Sequence, residues 1–208
     1  AKTHTTTASQ KSHLTKASNK QVSSKQEYSR NSAKSSSLPD LRKYPSGTPR
    51  KKAFLRTVMP YITSQNAAIT AERNWLISKQ YQGQWSPAER ARLKDIAKRY
   101  KVKWSGNTRK IPWNTLLERV DIIPTSMVAT MAAAESGWGT SKLARNNNNL
   151  FGMKCMKGRC TNAPGKVKGY SQFSSVKESV SAYVTNLNTH PAYSSFRKSR
   201  AQLRKADQ

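Results

Sequence analysis

The sequence predicts a mainly α-helical (α+β) protein: a helical core with a small β-hairpin lobe, preceded by a helical hairpin and a disordered basic tail. Three observations carry this. Apolar residues recur at helical spacing from Ala53 to Tyr100 and again from Pro112 to Leu187. Residues 153–173, rich in Gly, Pro and Lys, break that period. Residues 1–50 are dominated by Ser, Thr, Lys, Gln and Asn and are poor in apolar side chains. The expected divisions are a tail over 1–52, a helical hairpin over 53–110 and a folded domain over 111–208, which lacks its C-terminal end.

The chain has 208 residues, with 38 Lys+Arg against 10 Asp+Glu, a formal net charge of +28 and a hydrophobic fraction of 35%. That fraction is low for a chain wholly packed into a core, so part of it is expected to stay unfolded. The tail cannot bury enough surface to offset chain entropy, and Pro39, Pro45, Gly47 and Pro49 close it. Ala1 suits a terminus left by signal cleavage, and no apolar run is long enough to span a bilayer.

Within the hairpin, Phe54, Val58, Ile62, Ile69, Leu76 and Ile77 recur at helical intervals, and Pro60 is expected to kink or restart the helix. Ser86-Pro87-Ala88-Glu89 starts the second helix as a capping box with proline at N1, ahead of Leu93, Ile96, Ala97 and Tyr100. The basic run Lys98–Lys103 is read as a solvated face. Residues 112–120 form a short helix with Trp113, Leu116, Leu117 and Val120 inward, and Glu118 and Asp121 are expected at the surface or as caps.

Pro124, Thr125 and Ser126 open the next helix, and Met127–Ala134 has strong helical preference. Met127, Met131 and Glu135 lie at i, i+4 and i+8, which places the carboxylate on a stripe expected to face the core. Gly137 is the left-handed stop, so Glu135 sits in the last turn, beside the negative end of the helix dipole. Partial burial and that dipole disfavour the ionised form, as a general acid for a glycosidic oxygen requires. The competing reading is a helix-end glutamate bonding to loop amides.

Beyond it, Ser141–Arg145 makes one helical turn, and Asn146–Asn149 a loop tolerant of unusual backbone angles. Leu150, Phe151 and Met153 pack behind the Glu135 helix. Trp138 and Phe151 are the rings best suited to meet the C–H face of a pyranose, with plain core as the alternative for each. Cys155 and Cys160 are too few for a metal site and are read as a disulfide-clipped turn in an oxidising compartment; two cytosolic free thiols are the alternative. Residues 162–170 read as a hairpin or irregular lobe, and Ser175-Val176-Lys177-Glu178 has capping-box spacing, opening a helix with Val180, Tyr183, Val184 and Leu187 inward.

Glu135-Ser136-Gly137-Trp138-Gly139-Thr140-Ser141, followed by Asn148-Asn149-Leu150-Phe151-Gly152-Met153-Lys154, resembles the signature of the bacterial glucosaminidase domain, glycoside hydrolase family 73. The resemblance runs from about Val120 to Ser199, and the whole chain is similar to one such protein of Gram-negative bacteria. It implies a lysozyme-like helical domain and an endo-β-N-acetylglucosaminidase acting on peptidoglycan, with Glu135 as catalytic acid. Tyr170-Ser171-Gln172-Phe173 resembles the family strand whose aromatic residues line the substrate groove, so Tyr170 and Phe173 join Trp138 and Phe151 as candidate substrate contacts.

The chain departs from the family twice. Glu178 and Asp207 are the only acids after Glu135, and the lobe, where many relatives carry a second carboxylate, has none. His190-Pro191-Ala192-Tyr193 matches the start of the family's next helix, but the basic helix Arg197–Lys205 leads to Gln208, ahead of the segment that carries an active-site tyrosine in relatives.

No metal or cofactor is expected, and the expected partner is the peptidoglycan glycan strand, met by a periplasmic or exported monomer. The basic balance fits electrostatic association with an anionic cell envelope. Nucleic acid would suit the charge and Trp104 or Trp113, but no base-reading motif is present. A lytic transglycosylase using the same acid, and a non-catalytic wall or nucleic-acid binder, are the alternatives.

Overall fold

The computed structural model describes residues 37–156, 160 and 163–207. Residues 1–36 of the expected tail, 157–159 of the cysteine turn and 161–162 of the lobe lie outside the described residues. Residues from Leu38 onward form one compact unit, built from helices α1 (Thr48–Lys79), α2 (Pro87–Arg99), α3 (Trp113–Arg119), α4 (Thr125–Ser136), α5 (Lys142–Asn147), α6 (Val176–Thr189) and α7 (Ser194–Ala206). Short 3-10 turns at Leu41–Lys43 and Pro191–Tyr193 precede α1 and α7.

Helix α1 is the spine. Ala53, Phe54, Val58, Ile62, Ile69 and Leu76 form its buried stripe, against which α4 and α6 pack. Pro60 neither ends nor restarts it: the helix is continuous from Thr48 to Lys79. Pro60 lies on the exposed side, where water can serve the carbonyl that its ring leaves unbonded. Two polar side chains tie α1 to the chain after α3. Asn66 Nδ2 donates to Ile123 O at 2.7 Å, and its Oδ1 accepts from Ile123 N at 3.2 Å. Arg73 Nη1 donates to Leu117 O and, at 2.9 Å, to Val120 O. Part-buried hydrogen bonds thus link residues on the two sides of residue 110.

Order begins earlier than the expected tail boundary at 52. Leu41 is fully buried, and Asp40 caps its turn by accepting from Arg42 N at 3.1 Å. The reason lies at Gly139, where φ is +80° and an added Cβ would stand 2.4 Å from Leu41 Cδ1 and 3.2 Å from Phe54 Cδ2. The missing side chain makes the socket into which Leu41 and Phe54 pack.

Helix α2 starts as expected: Ser86 Oγ accepts from Glu89 N at 3.1 Å, and the Glu89 carboxylate accepts from Ser86 N at 3.0 Å. Helix α3 packs on α7. Asp121, expected at the surface or as a cap, is instead buried at 1% exposure. It pairs with Arg204 at 2.5 Å, Arg73 at 3.6 Å and Arg200 at 3.7 Å. Glu118 is half-buried, and its carbonyl accepts from Arg200 Nη2 at 2.8 Å.

The expected β-hairpin lobe is reduced, among the described residues, to one antiparallel bridge between Lys154 and Tyr170. Flanking it, Ser171 N donates to Met153 O at 2.9 Å and Cys155 N to Gly169 O at 3.3 Å. Cys155 and Cys160 form the expected disulfide, with Cα atoms 5.6 Å apart. No described helix is long and apolar enough to cross a membrane.

Candidate active site

Helix α4 ends where the sequence places its end, with Gly137 left-handed at φ 54°, but its orientation is rotated from the expected one. Val128, Ala129, Ala132, Ala133 and Ser136 are the buried face, while Met131 is 37% exposed and Glu135 is exposed. The small residues go inward because α1 already fills the interface with Phe54, Val58 and Ile62, and only alanine-sized partners let the two helices approach. The burial expected at Glu135 is accordingly absent.

Among the described residues Glu135 makes no hydrogen bond or ion pair. Its carboxylate nonetheless lies close to backbone. At Gly152, φ is +65° and an added Cβ would meet Glu135 Oε2 at 3.0 Å, so the acid rests against bare backbone. That backbone is fixed by asparagines. Asn149 Oδ1 accepts from Phe151 N at 3.3 Å and Met153 N at 3.1 Å, while its Nδ2 donates to Met153 O at 2.8 Å and Ser171 O at 3.0 Å. Asn147 Oδ1 accepts from Val167 N at 2.8 Å, and Asn148, left-handed at φ 50°, donates to Phe173 O at 3.1 Å. The backbone tolerance expected of this run is present at Asn148. The larger role, pinning the lobe to the helices, gave no sequence signal beyond the run of amides itself.

For Phe151 the sequence leaves a sugar contact and plain core as alternatives, and the structure decides for core. It is 6% exposed and stacks on Tyr183, with centroids 4.2 Å apart and planes 4° from parallel, so it backs the site from inside. Tyr183, expected only as an inward residue of α6, belongs to this neighbourhood. Burial pushes its hydroxyl above the ordinary tyrosine range, with smaller contributions from Tyr193 and the Glu135 carboxylate. A phenol among the apolar positions of α6 was the available signal for it.

Trp138, at left-handed φ 55°, sets its half-buried ring edge-on to Phe54 at 5.6 Å and beneath Lys51 Nζ, 5.1 Å from the ring centroid. Tyr170 and Phe173 are half-exposed on the lobe. Glu178 caps α6: Ser175 Oγ accepts from its N at 3.1 Å, and its carboxylate accepts from Ser174 N at 2.7 Å and from Ser174 Oγ. Half of the expected capping box is present, the carboxylate being taken up one residue earlier, by Ser174 rather than Ser175.

The support under Glu135 is open to test. Gly152→Ala adds a methyl at 3.0 Å from Oε2 in a backbone region that disfavours side chains by about 1 to 2 kcal/mol. The carboxylate or the turn has to move, and the variant should be less stable to urea by about 1 to 2 kcal/mol. An unchanged unfolding midpoint would show that the contact is loose.

Residues 112–208 match the family Glucosaminidase, described as mannosyl-glycoprotein endo-beta-N-acetylglucosaminidase. No solved structure matches the chain significantly. The exposed acid at the end of α4 and the asparagine-pinned turn beneath it both lie inside that match, and residues 112–208 are a glucosaminidase domain of glycoside hydrolase family 73.

Proposed function

We propose that the protein cleaves the β-1,4 bond that follows N-acetylglucosamine in peptidoglycan, as an endo-β-N-acetylglucosaminidase of lysozyme-like fold, with Glu135 protonating the leaving oxygen. The observation that supports this reading best is the state of Glu135. It is exposed and unpaired among the described residues, yet rests on the fixed backbone of Gly152. Asp40, Glu72, Glu89, Asp95 and Asp121, by contrast, are all in ion pairs. A carboxyl with no protein partner of its own is open to a glycosidic oxygen. Trp138, Tyr170 and Phe173 are the rings that would grip the glycan. The net charge of +28 draws the protein to the carboxylates of the wall, and such a substrate places its action outside the cytoplasm.

Glycosidases commonly use a second carboxylate. Here Glu178 is taken up by its cap, and Asp207 stands at the far end of α7. A nucleophile from the substrate, through its N-acetyl oxygen, and a water held by hydroxyl and backbone groups are two routes that need no second carboxylate, and a weak or inactive catalyst is the third reading. The same shortage of acids favours one further reading, lytic transglycosylation, in which a sugar hydroxyl attacks internally.

Product analysis separates these. Sacculi digested by the full chain should release fragments that end in reducing N-acetylglucosamine, identified by mass spectrometry of the muropeptides. Ends lighter by one water would establish the transglycosylase. Reducing N-acetylmuramic ends would overturn the proposed bond.

A further inference from the structure

The turn between α1 and α2 reads Gln80-Tyr81-Gln82-Gly83-Gln84-Trp85-Ser86, amide and aromatic side chains alternating with no charge, in a chain of net charge +28. Tyr81 is 96% exposed and Ile77, one turn earlier, 48%. Trp85 stands edge-on to Trp75 at 6.2 Å and tilted by 35° against Trp113 at 6.3 Å, so three half-exposed indoles form one continuous row. At its end a pocket of about 360 Å³ is lined by Ile111, Pro112, Trp113, Asn114 and Thr115. None of these residues belongs to the Glu135 neighbourhood.

We infer that this row is a second carbohydrate-binding surface, which holds a neutral stretch of an amino-sugar strand through ring stacking and amide hydrogen bonds. The chemistry favours sugar over the other polymers a basic protein attracts. A pyranose offers apolar C–H faces ringed by hydroxyls and acetamides, which match indole and phenol faces beside Gln and Asn. A nucleic acid would need cations at the rings to hold its phosphates. The pocket lining has none; Arg92, which does lie on the row, covers the Trp75 ring at 4.4 Å from its centroid, so Trp85 and Trp113 are the faces left to a sugar. Trp85 itself is fixed, its Nε1 donating to Gln82 O at 3.3 Å, and Gln82 in turn donates to Glu89 Oε2 at 3.0 Å. Holding Trp85 in this way before a ligand arrives lowers the entropy cost of binding to that ring.

The inference rests on the reading that the substrate is wall glycan, and its test is kept apart from catalysis. In the full chain carrying Glu135→Gln, binding to purified sacculi by co-sedimentation, and to a chitin-type oligosaccharide by tryptophan fluorescence, is compared with and without Trp113→Ala and Tyr81→Ala. Loss of one stacking ring should weaken binding about tenfold for Trp113→Ala and about threefold for Tyr81→Ala. Tyr81 touches too little to affect folding, so its variant decides the matter if Trp113→Ala is unstable. Turnover of short soluble fragments by the Glu135-bearing chain should not change in either variant. Affinities within twofold of the parent, no binding by the parent, or a loss confined to nucleic acid would each overturn the inference. Ring-dependent binding by a chain that releases no fragments would uphold it while removing the proposed hydrolysis.

Discussion

Glu135→Gln should abolish release of fragments from sacculi, lowering turnover by about a hundred- to ten-thousandfold, the range a positioned general acid supplies. The amide keeps the size and the contact at Gly152 but has no proton to give. Because Glu135 forms no hydrogen bond or ion pair among the described residues and is exposed, nothing structural depends on its charge. Thermal unfolding of the variant should coincide with that of the parent, and binding to sacculi should persist. Turnover within threefold of the parent would exclude Glu135 as the acid. Restoration of activity in Glu135→Asp to a small fraction of the parent would separate loss of the carboxyl from loss of its reach, since the shorter side chain withdraws the acid from the Gly152 backbone.

What could be read from the chain was set by local chemistry. The start of α2 at Ser86 and the ends of α4 at Pro124 and Gly137 are decided by residues within one turn of each other, and all fall where expected. The order of motifs from Glu135 to Lys154 was likewise legible and lies inside the family match over residues 112–208. What escaped depends on partners far along the chain. Helix α4 turns its alanines inward because of the large side chains of α1, more than sixty residues earlier, so the stripe through Met127, Met131 and Glu135 misjudged which side faces the core. Leu41 could not be recognised as core without knowing that Gly139 leaves it a socket. Asn147 and Asn149 carry no sign in their own neighbourhood that they hold Val167, Ser171 and Met153. Phe151 was ambiguous between sugar and core, and Tyr183 beneath it decides for core. Asp121 looked like an ordinary acid after a short helix; its arginines lie on α1 and α7, 48 residues before and 79 or more after it.

Asp121→Asn should cost more stability than any other single change considered for this chain, about 3 to 5 kcal/mol, the usual penalty for removing one partner of a buried ion pair. The carboxylate accepts from Arg204 Nε and Nη2, both at 2.5 Å, and faces Arg73 and Arg200, whose Nε atoms are buried without a hydrogen-bond partner. Removing this charge leaves the buried guanidiniums of Arg73 and Arg200 without the carboxylate they face. Burial already pulls Arg200 down to about 10, an effect that Asp121 opposes. The same site predicts a pH dependence. Burial pushes the Asp121 carboxyl upward, but the Arg204 hydrogen bonds, with Arg73, the Ile122 amide and Arg200, outweigh it, so its folded value lies below the ordinary one. The folded state therefore binds this proton less readily than the unfolded chain. The stability it contributes is fully present above the unfolded value of about 3.9 and disappears as pH falls through the lower folded value. Urea unfolding of the parent and of Asp121→Asn should thus differ by the full amount near neutrality and converge below about pH 4. A gap that stayed constant through that range would mean that shape, not charge, is what Asp121 supplies between α1, α3 and α7.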